Sequence, residues 1–276
     1  MALSKSDLKV DAMESRLGVI SKHAAKCDSH GDYIARITKH SEQATGCPVC
    51  ANEARDAREA EEAAEERKRT SRLRLEKRLG AAMIPPRFAG KDFASYRAAN
   101  KRQASALAVC RQYAEQFRDN YEAGRCLLLV GHVGTGKTHL ASAISDFVIR
   151  ELNAMAVYRT LYSLMQYVKG SFDSASTYTE AQAYENLTSP HLLVIDEIGA
   201  TKQTEFEQAT LFNVINGRYE QNKPTVIISN LMPSELEKAL GDRVMDRLRE
   251  NGGICLVFDW ESARREPPRE AQAVPA

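Results

Sequence analysis

No stretch of this 276-residue chain approaches the roughly 20 consecutive apolar residues that a membrane-spanning helix needs. The opening residues, MALSKSDLKV, lack the apolar core of a secretory signal, so a cytoplasmic location is expected. An excess of either charge is missing too: 38 Lys and Arg against 37 Asp and Glu leave a net charge of +1. That balance excludes a global attraction to polyanions and confines any nucleic-acid contact to a local groove. Cysteine is scarce, with six residues, and Cys110, Cys126 and Cys255 lie in the apolar surroundings expected of reduced, buried thiols rather than disulfides. A hydrophobic content of 43% suffices for one sizeable α/β domain and a small additional module.

The informative residues gather at the ends of apolar runs. Cys126-Leu127-Leu128-Leu129-Val130 leads into Gly131-His132-Val133-Gly134-Thr135-Gly136-Lys137-Thr138, and from His139 to Ile149 apolar residues recur at helical spacing. A strand, a glycine-rich loop and a helix in this order cradle polyphosphate. The glycines admit backbone angles that turn successive N–H groups inward, at the positive end of the helix. Lys137 is placed to reach the outer phosphates and Thr138 to offer its hydroxyl to Mg²⁺. A second run, Leu192-Leu193-Val194-Ile195, ends in Asp196-Glu197. Paired carboxylates after a buried strand are costly without a cation. Asp196 is expected in the Mg²⁺ shell. Glu197, one residue beyond the strand, is expected to orient and deprotonate a water for attack on the γ-phosphate. A third run, Thr225–Ser229, ends at Asn230, whose amide suits sensing the γ-phosphate or fixing that water; alone it reads as a turn residue.

A Ras-like GTPase would need a guanine-reading Asn-Lys-x-Asp motif, and none follows. The order of the strand ends instead resembles the AAA+ ATPases, whose active site is completed by an arginine from the neighbouring subunit. HLLVIDEIGA, the segment GDRVMDRLR and the ending LVFDWESAR together resemble the DnaC-type loaders of replicative helicases, over about Ile84 to Arg264. The resemblance implies an α/β fold, a P-loop AAA+ domain with a parallel sheet flanked by helices. Only 46 residues follow Asn230, which leaves no room for a helical lid. It also implies binding and hydrolysis of ATP with Mg²⁺, the nucleotide lying along residues 131–139. Arg247 resembles the trans-acting finger, with Arg243 as the competing candidate, and Arg264 resembles the second sensor arginine that touches nucleotide in cis.

The implied partners are a hexameric helicase of the DnaB type, single-stranded DNA and further copies of this chain in an ATP-dependent homo-oligomer. Tyr162, Tyr167, Lys169 and Phe172 follow the expected strand Ala156–Thr160, in the region that resembles the part of such ATPases that meets single-stranded DNA. They equally suit packing of a short helix onto the domain. Two other functions remain compatible: a transposition helper that assembles on DNA and recruits a transposase, and a non-hydrolysing, nucleotide-gated adaptor.

The first third of the chain carries separate chemistry. Cys27 and His30 form a CxxH pair, and Cys47 and Cys50 a CxxC pair, separated by 16 residues. Each pair can chelate, and two opposed pairs make a closed tetrahedral Zn²⁺ site that stabilises a module too small for a good core. His23 and His40 are substitute ligands, and a redox or merely reduced pair is the competing reading. From Ala51 to Leu79 the chain is rich in Ala, Glu, Arg and Lys, acidic in its first half and basic from Arg67 to Arg78. It is expected to be a solvated helix connecting domains, or one lying along nucleic acid or an acidic partner surface. The expected organisation is a zinc-module region over 1–50, a helical linker over 51–83, the ATPase domain over 84–264 and a disordered tail over 265–276.

Overall fold

The computed structural model describes residues 8–41, 43–199 and 204–262. Arg264 and the tail expected over 265–276 lie outside the described residues. The chain divides into two compact units, Met1–Leu73 and Arg74–Ala276.

In the first unit a short helix, α1 (Ala12–Arg16), precedes an antiparallel hairpin of β1 (Val19–Cys27) and β2 (Gly31–Thr38). Asp11 and Glu14 form a reciprocal capping box at the start of α1. Glu14 also accepts from Lys22 at 2.8 Å and Arg36 at 3.2 Å, fastening α1 to both strands. The Lys22 ammonium, the Asp11 backbone N–H and the Arg36 guanidinium together hold the Glu14 carboxyl down at about 2. The hairpin reverses through Asp28-Ser29-His30, with Cys27 paired to Gly31. The long helix α2 (Pro48–Ala81) then begins three residues earlier than the composition suggested and ends two residues later. Proline fits the first turn of a helix because its missing N–H would be unpaired there anyway, and the effect is to bring Cys50 into that turn. None of its described residues is buried, as a solvated charged helix requires.

The second unit holds α3 (Lys101–Glu115), α4 (Phe117–Glu122), β3 (Leu127–Gly131), α5 (Lys137–Arg150), β4 (Ala156–Thr160), α6 (Leu161–Gly170), α7 (Glu180–Thr188) and β5 (Leu192–Ile198). It continues with α8 (Glu205–Tyr219), β6 (Thr225–Ser229), α9 (Pro233–Leu240), α10 (Asp242–Arg249) and β7 (Ile254–Phe258). The strands form one parallel sheet in the order β4-β5-β6-β3-β7. Successive residues face opposite sides, so the continuous apolar runs fill two cores. Leu127, Leu129, Val194, Val226 and Ile228 pack with α3 and α5; Leu128, Val130, Leu193, Ile195 and Ile227 pack with α6, α8, α9 and α10. The strand ends carrying Gly131, Asp196 and Ser229 are thereby neighbours on one rim of the sheet.

Two expectations are corrected. Cys255 is exposed rather than buried, because β7 is an edge strand and alternate residues on it face outward. Glu197 lies within β5 rather than beyond it. Arg218, which the sequence did not single out, is fully buried and binds the carbonyls of Leu187, Pro190 and Pro224 and the hydroxyl of Thr225. It ties α8 to the ends of α7 and the starts of two strands, and burial pulls its pKa down to about 10.

Candidate functional site

The glycine-rich loop is fixed at its base by two main-chain bonds, from Gly131 N–H to the Leu231 carbonyl at 3.0 Å and from His132 N–H to the Phe258 carbonyl at 2.8 Å. A Cβ at position 131 would come within 2.5 Å of the Phe258 oxygen, and the φ of +115° is itself unsuited to a side chain. The loop closes at Gly136, φ +98°, where the Tyr96 ring lies against the backbone. Helix α5 starts immediately after, so its unpaired N–H groups face the loop's interior.

Lys137 is buried, and its ammonium donates to the carbonyls of Gly131 at 2.7 Å and His132 at 2.6 Å. The hydroxyl of Thr138 donates to Asp196 Oδ2 at 3.0 Å. That same oxygen accepts from the Tyr158 hydroxyl on β4, and Asp196 Oδ1 accepts from the Glu197 N–H at 2.6 Å. Burial, and then the Asp196 carboxylate, push the Tyr158 hydroxyl far above its ordinary pKa, so it acts as donor. The register between β5 and β6 shifts between Ile195 and Ile198, and Glu197 has φ +65°, a left-handed conformation rare for a residue with a long side chain. This bulge leaves Glu197 exposed beside buried Asp196. Neighbouring carboxylates are thus given separate environments.

A cavity of about 340 Å³ opens here, lined by residues 133–139, Asp196, Glu197, Ile228 and Asn230. Arg87 and Phe88 line it as well. Neither belongs to a motif singled out in the sequence, although a cation and an aromatic ring at the entry to the domain are suited to a nucleotide. Gly131 and His132 form the base of the loop rather than the cavity wall. Trp260 also escaped notice: its indole N–H donates to the Thr135 carbonyl at 3.0 Å. His139 Nε2 donates to the Asp92 carbonyl at 3.0 Å, and the ring meets that of Tyr96 edge-on. The Thr138 hydroxyl and the Asp196 and Glu197 carboxylates at the rim are hard oxygen donors of the kind that suits Mg²⁺.

Neither Arg243 nor Arg247 lines this cavity. Arg243 is exposed on α10. Arg247 lies 4.4 Å over the ring of Tyr219 and donates to Asn216 Oδ1 at 3.3 Å. Tyr162 on α6 and Phe172 just past its end are exposed. Tyr167 instead stacks on Tyr178 at 4.8 Å with Arg159 on a ring face, and the Lys169 ammonium sits 5.2 Å from the Phe206 ring centre. Packing and exposure are therefore divided among the four residues proposed for DNA contact.

In the first unit, Cys27, His30, Cys47 and Cys50 place one ligand atom each within 4.8 Å of one another, and no other described residue belongs to the group, His23 and His40 included. Cys27 Sγ is 3.5 Å from Cys50 Sγ, and His30 Nδ1 is 3.2 Å from Cys50 Sγ. Tetrahedral zinc with bonds of about 2.3 Å to sulfur needs ligand atoms roughly 3.5 to 3.8 Å apart. His30 Nε2 lies 3.2 Å from Glu53, which leaves Nδ1 turned toward the sulfurs. The backbone N–H groups of His30 and Ser29 bring the Cys27 thiol down to about 6, favouring the thiolate a metal binds.

Residues 39–254 match the family of IstB-like ATP binding proteins. The replicative helicase loader DnaC of Buchnera aphidicola subsp. Schizaphis graminum is 32% identical over 193 residues, covering 70% of this chain and 77% of that protein. DnaC of Escherichia coli K12 is 31% identical, over 70% and 76% of the two chains. Among solved structures, that of the DnaC helicase loader superposes with a TM-score of 0.56 at 24% identity, over 63% of this chain and 99% of that one. The structure of DnaI gives 0.52 at 18% identity, over 65% and 94%. At these identities the structural likeness is one of fold.

Proposed function

The chain belongs to the IstB-like family of ATP-binding AAA+ proteins, in its branch of DnaC-type replicative helicase loaders, and on that premise we propose that ATP binding and hydrolysis govern its hold on a helicase. The observation that carries the proposal is the meeting of loop residues 133–138 with Asp196, Glu197 and Asn230 on one cavity. Lys137 would leave the loop carbonyls for the outer phosphates. Thr138 and Asp196 would hold Mg²⁺, which supplies charge neutralisation to the phosphates when bound. Exposed Glu197 would take the proton of the attacking water, and Asn230 would orient that water or report the γ-phosphate.

No arginine of α10 lines the cavity, so Arg247, or Arg243 in its place, would act on the neighbouring copy in an ATP-dependent homo-oligomer. Arg264 remains the proposed sensor in cis. The oligomer would grip a hexameric DnaB-type helicase and release it once single-stranded DNA is captured, with Tyr162, Lys169 and Phe172 offered to the DNA. The Cys27-His30-Cys47-Cys50 group would bind structural Zn²⁺ and so stabilise the first unit.

The test is a pull-down of the cognate replicative helicase with and without ATP, using Lys137→Ala as the nucleotide-blind control. ATP-dependent retention of the helicase supports a loader. Retention of a transposase instead would support the transposition helper, and retention indifferent to nucleotide would support the adaptor.

A further inference from the structure

Asp196 is the one carboxylate in the cavity whose two oxygens are both taken up by donors of its own chain. Oδ1 receives the Glu197 N–H, and Oδ2 receives Thr138 and Tyr158. These donors differ in what a bound cation would leave in place. A hydroxyl that coordinates Mg²⁺ is turned toward the metal, so the Thr138 bond to Asp196 is lost or weakened when the metal arrives. Tyr158 stands apart from the cavity wall. It lies on the neighbouring strand β4, buried, with its main-chain partner in β5 being Val194 and its ring rising beside Asp196. Its other anchor is main-chain: the Tyr158 N–H donates to the carbonyl of Ala82 at 2.8 Å, on the outer edge of the sheet. That bond fixes the strand, and the ring itself is packed in the core, so neither depends on the cavity being filled.

We propose that Tyr158 is a positioning residue for Mg²⁺: its hydroxyl fixes the Asp196 carboxylate in the orientation that receives the metal or its water. The inference rests on the ATP-site reading above, and adds to it a residue that touches neither nucleotide nor metal. Oriented ligands bind metal more tightly because less freedom is lost on binding, and removing such outer partners typically costs about ten- to a hundredfold in metal affinity.

The experiment measures binding of a fluorescent ATP analogue by the full-length chain across a Mg²⁺ titration, for wild type, Tyr158→Phe, Asp196→Asn and the double variant. Tyr158→Phe keeps the ring and removes only the hydroxyl. The expected result is a thermal midpoint without ligand lowered by only a few degrees, as for the loss of one buried hydrogen bond, and an unchanged affinity for the analogue in EDTA. The Mg²⁺ concentration giving half-maximal enhancement should rise by about tenfold or more. Because Tyr158 acts through Asp196, adding Tyr158→Phe to Asp196→Asn should shift the Mg²⁺ midpoint no further. A shift below twofold in the single variant overturns the proposal. So does a full additional shift in the double variant, or a loss of metal-free affinity as large as the loss seen with Mg²⁺. A wild type whose affinity ignores Mg²⁺ overturns the ATP-site reading itself, and the Tyr158 role with it.

Discussion

The indole N–H of Trp260 donates to the main-chain carbonyl of Thr135, joining the segment after β7 to the middle of the phosphate loop. The bond is buried, and its partners are 125 residues apart in the chain. A buried bond of this kind contributes about 1 kcal/mol net, and it places the ring where any change in loop conformation alters its surroundings.

Trp260 is the single tryptophan of the chain. Adding ATP with Mg²⁺ should therefore change the intrinsic tryptophan emission saturably, and the change should vanish in Lys137→Ala. Emission that ignores nucleotide in a protein shown independently to bind it would mean that the loop does not move against β7.

Lys137→Ala should abolish ATP binding, whereas Glu197→Gln should preserve binding and stop turnover. Lysine neutralises phosphate in the ground state, while the glutamate acts only as water attacks. Equilibrium binding and steady-state hydrolysis, measured on the same preparations, separate the two roles; equal loss of binding would contradict them.

Arg247→Ala should keep nucleotide affinity close to wild type and lower hydrolysis by about a thousandfold or more. Its contacts to Tyr219 and Asn216 are partly exposed, so little stability should go with them. Mixing Arg247→Ala with Lys137→Ala should restore some activity, since a mixed interface can pair an intact loop with an intact finger. If no mixing ratio hydrolyses ATP while both proteins bind the helicase and exchange subunits, Arg243 becomes the finger.

Protein purified without chelator should carry one zinc per chain, held by Cys27, His30, Cys47 and Cys50. Stripping the metal should unfold the hairpin and the start of α2 but leave nucleotide binding intact, because the nucleotide site lies wholly in the other unit. Elemental analysis showing no metal with all thiols reduced rules this out.

The parts of the site that the sequence reveals are those written in consecutive residues. Gly131 to Thr138 and Asp196-Glu197 are local patterns whose chemistry follows from spacing. The bonds of Tyr158 to Asp196, Trp260 to Thr135 and Arg218 to Leu187 join residues 31 to 125 positions apart, so only the folded sheet brings them into place. Cys255 was misread for a related reason: an apolar run does not say whether its strand lies at the centre or the edge. Glu197 was placed one residue past its strand because a bulge leaves no mark in composition.

That bulge sets two demands against each other. A left-handed glutamate costs roughly 1 to 3 kcal/mol relative to a residue free to adopt the angle. Glycine at 197 would relieve that cost and lose about 0.5 to 1 kcal/mol of it to a more flexible unfolded chain. Glu197→Gly should therefore melt no lower than wild type, and somewhat higher where the relief exceeds the entropy, while hydrolysing no ATP. Selection for heat resistance alone would discard the residue proposed to activate the water, and a thermostable relative obtained that way would be expected to hold nucleotide without turning it over.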